Sequence, residues 1–177
     1  NYSISPGQTT TANITAKTLT ATASVSNKVY DGNNTAQTTL TLSGFIGSET
    51  LNSTNTSTFN NKNVGTGKSV TVNSITLANG TNGDLASNYS ISPGQTTTAN
   101  ITAKPLSISG ITASNKIYDG NTVATIDTSL IDFIALGKVA GDNLVISASG
   151  NFSDKNVANN KTVTITSSYA GTDLNNY

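Results

Sequence analysis

The stretch NYSISPGQTTTANITAK stands at Asn1–Lys17 and again, letter for letter, at Asn88–Lys104. Inside the second copy Ala99, Ile101 and Ala103 alternate with Asn100 and Thr102. The beat resumes after Lys104-Pro105 in Leu106-Ser107-Ile108. A period of two turns one face of the chain to a core and the other to water, which is the signature of a strand. Leu40-Thr41-Leu42, Val70-Thr71-Val72 and Val163-Thr164-Ile165 keep the same register, and no stretch shows a convincing helical period. Thr, Val and Ile abound, and they suit a pleated backbone. An all-β chain is expected.

The two copies of that stretch begin 87 residues apart, at positions 1 and 88. A second pair, Asn27-Lys-Val-Tyr-Asp-Gly32 and Asn115-Lys-Ile-Tyr-Asp-Gly120, is spaced by 88. Such a period exceeds the roughly 20–50 residues of a solenoid coil and matches a small domain used in tandem. Turn signals divide the strands: Ser92-Pro93-Gly94-Gln95 suits a type II turn, and Asp31-Gly32, Asp119-Gly120, Asn79-Gly80 and Asn82-Gly83 suit tight turns. Between Thr18 and Lys104 this leaves about seven short strands, the number expected of an immunoglobulin-like β-sandwich. The chain therefore reads as tandem immunoglobulin-like β-sandwich modules, although it lacks the Cys-Trp-Cys core of antibody domains. The expected boundaries are 1–17, the closing strand of a preceding repeat; 18–104, a complete repeat; and 105–177, a repeat lacking its closing strand. Lys62-Asn63-Val64 recurs as Lys155-Asn156-Val157, so the second copy has five extra residues ahead of that motif and five fewer after it. Length changes of this kind belong in surface connections.

Nine Lys, no Arg and nine acidic residues give a formal net charge of zero. Binding to nucleic acid or to an anionic membrane needs a basic stripe, and nine scattered lysines do not make one. Cys, His, Trp and Met are absent, which excludes disulfides and thiolate or imidazole metal sites in this chain. Only 34% of the residues are hydrophobic, but the neutral charge, the β-branched content and the alternation argue for a folded chain.

The ordered set Tyr30-Asp31-Gly32, Lys62-Asn63-Val64, Asn88-Tyr89 and Ala99-Asn-Ile-Thr-Ala-Lys104 resembles YDG-type tandem repeats, and the second copy shares Tyr118-Asp119-Gly120, Lys155-Asn156-Val157 and Asn176-Tyr177. Such repeats occur in very large bacterial surface and secreted proteins similar to filamentous haemagglutinin-like adhesins. The resemblance implies a passive, extracellular β-rich stalk module with no catalytic residues.

Tyr30 and Tyr118, each beside a carboxylate, suit a sugar platform. The structural alternative has Tyr filling a core edge, Asp bonding nearby amides and Gly taking a left-handed turn. Lys28, Asp31 and Asn63, with Lys116, Asp119 and Asn156, supply the residue types of a Lys–Asn cross-link, which needs a buried acid; Lys62 and Lys155 are the alternative, solvated partners of those aspartates. Calcium needs six to eight oxygens, and neither junction, Ile14–Leu19 or Ile101–Leu106, contains an acid. Asn-x-Ser/Thr sequons start at ten positions, against about seven expected by chance in so Asn-, Ser- and Thr-rich a chain. A glycosidase pair would need Glu49, for which the second copy shows no clear counterpart, and there is no His for acid–base work. No catalytic, cofactor or metal residue is expected, and no cofactor.

The expected function is a structural stalk or spacer of a bacterial surface adhesin or matrix protein, located extracellularly or on the cell surface. The alternative is a glycan- or cell-binding module of the same adhesin. That alternative needs exposed aromatics, whereas Tyr30, Tyr89, Phe59 and Phe152 sit beside strand or turn signals and read as core. Expected partners are neighbouring repeats and, through residues 1–17, another molecule. A sandwich without its closing strand exposes an unpaired edge, and 1–17 carries the sequence that closes the first repeat, so head-to-tail strand complementation is expected.

Overall fold

A computed structural model describes residues 1–3 and 7–177. Among the described residues there are fourteen strands: β1 (Lys17–Thr18), β2 (Thr20–Val25), β3 (Lys28–Val29), β4 (Thr35–Ala36), β5 (Thr38–Ser43), β6 (Asn52–Phe59), β7 (Gly65–Ala78), β8 (Tyr89–Ser90), β9 (Thr96–Thr102), β10 (Thr112–Ala113), β11 (Val123–Ala124), β12 (Ile126–Asp127), β13 (Val145–Phe152) and β14 (Val163–Ala170). Among the described residues the helical turns are two short 3-10 pieces, Ala86–Asn88 and Leu174–Asn176. The protein is essentially all-β.

Period-two patterning in the sequence becomes period-two burial in space. Along β2, β5 and the first six residues of β14, half-buried and exposed residues alternate without a break. The off-beat hydroxyls bond across the strands: Thr20 to Ser43 at 2.7 Å and Ser147 to Ser168 at 2.6 Å, both pairs directly opposite in register. Cross-strand pairs of this type are worth a few tenths of a kcal/mol to about 1 kcal/mol each.

The chain forms two compact units, residues 1–25, 35–58 and 70–97, and residues 26–34, 59–69 and 98–177. These limits cut across the sequence repeat. In the first unit β2 pairs antiparallel with β5, β1 pairs parallel with β8, and Leu19, Ala36, Val70, Val72 and Tyr89 are buried. In the second, β3 pairs parallel with β9, β10 pairs with β12, and Tyr30, Phe59, Ala99, Ile101 and Ala124 are buried.

The largest sheet has the order β3-β9-β7-β6-β4. By position in the repeat, β4, β6 and β7 correspond to β11, β13 and β14, and these form a sheet in the same order, β11-β13-β14. Among the described residues that sheet has three strands. Residues 116–117, the counterparts of β3, are not in a strand among the described residues.

The repeated stretch adopts two different states. In its second copy it supplies β9, with Ile101 1% exposed; in the first copy residues 7–16 are exposed and outside any strand, and Ile14 is 102% exposed. Positions 4–6 of the closing-strand segment expected at 1–17 lie outside the described residues. The beat over Leu106-Ser107-Ile108 also stays out of a strand. Pro105 stands there where the first repeat has Thr18, a β1 residue, and proline has no N–H to donate to a ladder.

Candidate functional site

Each Tyr-Asp-Gly motif builds the same turn. The Asp31 carboxylate accepts the Asn33 backbone N–H at 3.1 Å, and Asp119 accepts that of Asn121 at 3.1 Å. Gly32 and Gly120 follow with φ of 83° and 80°, the left-handed region in which a Cβ is penalised. A lysine three residues before each aspartate closes the loop, Lys28 on Asp31 and Lys116 on Asp119, both at 2.7 Å. The same ammonium groups donate to Oδ1 of Asn33 and of Asn121, and sit 5.9 and 6.0 Å from the ring centroids of Phe59 and Phe152. The hydrogen bond from Lys116 is the main reason the Asp119 carboxyl is held below its usual range.

Lys62 and Lys155 are therefore not the partners of these aspartates. The acids are also half exposed, 48% for each side chain, so the buried acid that a Lys28–Asn63 or Lys116–Asn156 cross-link needs is missing from both sets. The Lys-Asn-Val motifs make a second turn instead. Asn61 Oδ1 accepts the Asn63 N–H and the Lys68 ammonium, and Asp154 accepts the Asn156 N–H and the Lys161 ammonium. The turns close the β6–β7 and β13–β14 hairpins, where Asn60 donates to Ser69 and Ser153 to Thr162.

The third element joins an acid to the last tyrosine of each repeat. Tyr177 Oη donates to Asp142 Oδ2 at 2.7 Å and accepts the Val139 N–H at 2.8 Å. In the first repeat Tyr89 Oη donates to Glu49 and accepts the Ile46 N–H at 3.0 Å. The counterpart of Glu49 is thus Asp142, at the spacing that carries Lys62 to Lys155.

At Asp142 the second unit adds what Glu49 does not have. Tyr30, the tyrosine of the first Tyr-Asp-Gly motif, donates to both Asp142 oxygens at 2.9 and 3.1 Å, and Lys62 Nζ lies 3.4 Å from Oδ1. The Tyr30 and Tyr177 rings meet edge to face at 5.7 Å. Asn176 completes the cluster, accepting the Val64 N–H on Oδ1 and the Lys104 N–H on its backbone oxygen. Asp142 is only 5% exposed and Tyr30 1%. Burial pushes the Asp142 carboxyl up, but hydrogen bonds from Tyr177 and Tyr30 and the nearby Lys62 charge outweigh it and hold the group below its usual range. Burial and the bond to Asp142 push the Tyr177 phenol up to about 12. A buried carboxylate with donors on every side is a structural clamp.

The two Tyr-Asp-Gly turns differ in what lies over them. A Cβ on Gly32 would stand 2.4 Å from Val139 Cγ1, whereas one on Gly120 would meet nothing within 4 Å. Gly120→Ala should therefore cost about 1 kcal/mol for the backbone conformation alone. Gly32→Ala adds an overpacking term and should cost about 3 kcal/mol. Urea unfolding of the two variants checks this, and equal costs would contradict it.

Of the residues singled out in the sequence, Tyr30 and Phe59 are buried as core, Tyr89 likewise, and Phe152 is half-buried. Tyr118 is 58% exposed. Among the described residues no three acidic side chains gather into a cluster. The sequence reading missed Asp142, although its place opposite Glu49 was available from the repeat spacing.

The profile of the YDG domain matches twice, over residues 15–99 and 102–177. No curated protein and no solved structure matches the chain. With two successive matches spanning nearly its whole length, and the same turn and acid–tyrosine pair built in both, the chain belongs to the YDG domain family.

Proposed function

We propose that the chain is a structural spacer: two immunoglobulin-like β-sandwich modules, from a bacterial surface adhesin or matrix protein, that hold another part of the protein away from the cell. The observation that carries this reading is the Asp142 clamp. It ties Tyr30 and Lys62 of the first repeat to Tyr177 of the second through a buried carboxylate, so tension along the chain must break charge-assisted hydrogen bonds at the joint. The adhesin setting and the extracellular location rest on the resemblance of the repeat motifs. In this reading the residues act mechanically, and none carries catalysis.

Single-molecule stretching of the chain between two handles tests the proposal. Discrete unfolding peaks, lowered in force by Asp142→Ala, are the expected result. Smooth extension without peaks, or saturable binding of the chain on a glycan array, would overturn the spacer reading in favour of a binding module.

A further inference from the structure

Two Asn-Gly dipeptides, Asn79-Gly80 and Asn82-Gly83, stand in the loop that leaves β7. At such a pair the glycine backbone nitrogen can attack the asparagine side-chain carbon, because no Cβ stands in its way. How firmly the loop holds the two groups decides whether it does. The first pair is held on all sides. Gly80 N–H donates to the Asp84 backbone oxygen at 3.0 Å, and Asn79 Oδ1 accepts the Ala86 N–H at 2.9 Å. The Asn79 backbone oxygen accepts Asn52 Nδ2 at 3.0 Å, and a Cβ on Gly80 would stand 1.9 Å from the Thr50 oxygen. Asp84 is itself anchored, its Oδ2 accepting the Thr50 N–H at 2.9 Å. Asn82 and Gly83, inside these fixed points, are exposed and make no hydrogen bond among the described residues. A Cβ on Gly83 would meet nothing within 4 Å.

The second repeat closes the same loop without that second pair. Gly171 and Asp173 hold the places of Gly80 and Asp84. A Cβ on Gly171 would stand 2.2 Å from the Asn143 oxygen, and Asp173 Oδ2 accepts the Asn143 N–H at 2.9 Å. Thr172 alone joins them, where the first repeat has Thr81-Asn82-Gly83. Asn82-Gly83 is thus an addition to a shared loop, outside the bonds that close it.

We infer that Asn82 is a site of spontaneous covalent modification, deamidation, in the folded chain, and that Asn79 is protected from it. The Gly83 nitrogen gives its proton to solvent base and bonds to Asn82 Cγ. The Cγ–Nδ2 bond breaks, and the side-chain nitrogen takes up a proton and leaves as ammonia. Water then opens the cyclic imide at one of its two carbonyls. One opening gives aspartate; the other gives isoaspartate, in which the main chain runs through the side-chain carbon. Either product adds a negative charge to a chain whose formal net charge is zero. The bonds at Thr50, Asn79, Asp84 and Ala86 involve neither reacting residue, so the loop keeps its closure while the charge is added. The two repeats then differ chemically at this loop. This goes beyond the spacer reading and stands or falls separately from it.

Peptide mapping by mass spectrometry of the full chain, kept for days at mildly alkaline pH, tests it. Asn82 should convert at least about 10-fold faster than Asn79, because the hydrogen bonds on Asn79 and Gly80 must open before that pair can react. In urea that unfolds the chain the two rates should come within about 3-fold, since both pairs then share the same local chemistry. Asp84→Ala removes the Thr50 anchor and should speed Asn79 several-fold while leaving Asn82 unchanged. Asn82→Gln should abolish the acidic species that ion exchange resolves from the aged wild type. Similar rates at the two sites in the folded chain, faster conversion of Asn79, or no conversion of Asn82 would overturn the inference. So would a 10-fold ratio that persists in urea, or an Asn79 rate that Asp84→Ala leaves unchanged.

Discussion

Asp142→Ala should lower the stability of the chain by about 4 kcal/mol, since hydrogen bonds to a charged group are worth about 1.5–3 kcal/mol each and the phenols left behind stay buried. The carboxylate accepts from Tyr30 and Tyr177 and lies beside Lys62, and its side chain is 2% exposed. Chemical denaturation measures the loss. A loss under about 1 kcal/mol, the usual worth of an exposed ion pair, would show that the clamp is not holding the joint. Tyr177→Phe should remove about 2 kcal/mol, and the double variant should lose less than the sum, because the two groups share one bond. The pH profile follows from the depressed Asp142 pKa. The unfolded carboxyl titrates near 3.8, so its contribution is complete above that value and disappears as pH falls through it towards the lower folded pKa. Wild type and Asp142→Asn should therefore differ at neutral pH and converge in acid. At the alkaline end the Tyr177 phenol, raised to about 12 from 10.0, contributes fully below pH 10 and loses its contribution as pH rises towards 12.

Ile101→Ala and Ile14→Ala change the same letter of the same seventeen-residue stretch, yet only the first should matter to folding in dilute solution. Ile101 is 1% exposed inside β9, between β3 and β7, and truncating a buried isoleucine removes about 2–5 kcal/mol by lost transfer and the cavity left behind. Ile14 is 102% exposed and outside any strand, so its truncation should change the unfolding midpoint by less than about 0.5 kcal/mol. Thermal or urea unfolding of the two variants side by side is the measurement. Comparable losses would mean that the first copy is also built into a sheet in the free chain.

Alternation and turn chemistry are local, so they were legible along the chain. Val70-Thr71-Val72 and Val163-Thr164-Ile165 are strands with the apolar face inward because β geometry sends successive side chains to opposite sides. Asp31-Gly32 and Asp119-Gly120 turn as read, since an Asp side chain reaches the amide two residues on and glycine accepts positive φ. Which lysine closes each turn was open in the sequence, where Lys28 and Lys116 stood against Lys62 and Lys155. Both sets belong to repeated motifs, and the partners are Lys28 and Lys116, three residues before the aspartate, where the turn itself brings the ammonium onto the carboxylate. Asp142 was missed for a different reason. Its equivalence to Glu49 lies in the repeat spacing, but Tyr30 and Lys62, the partners that set it apart, are 112 and 80 residues away.

The sequence by itself determined that this is an all-β repeat protein with two matching turns per repeat, because period-two burial and left-handed glycines depend on a few adjacent residues. Only the tertiary structure decided which copy of NYSISPGQTTTANITAK becomes a strand, which Tyr-Asp-Gly tyrosine is buried, and which acid becomes a clamp. A strand gains its backbone bonds from neighbours, not from its own side chains. Identical residues at 9–15 and 96–102 therefore differ by what lies beside them: β3 and β7 flank the second copy, while water surrounds the first.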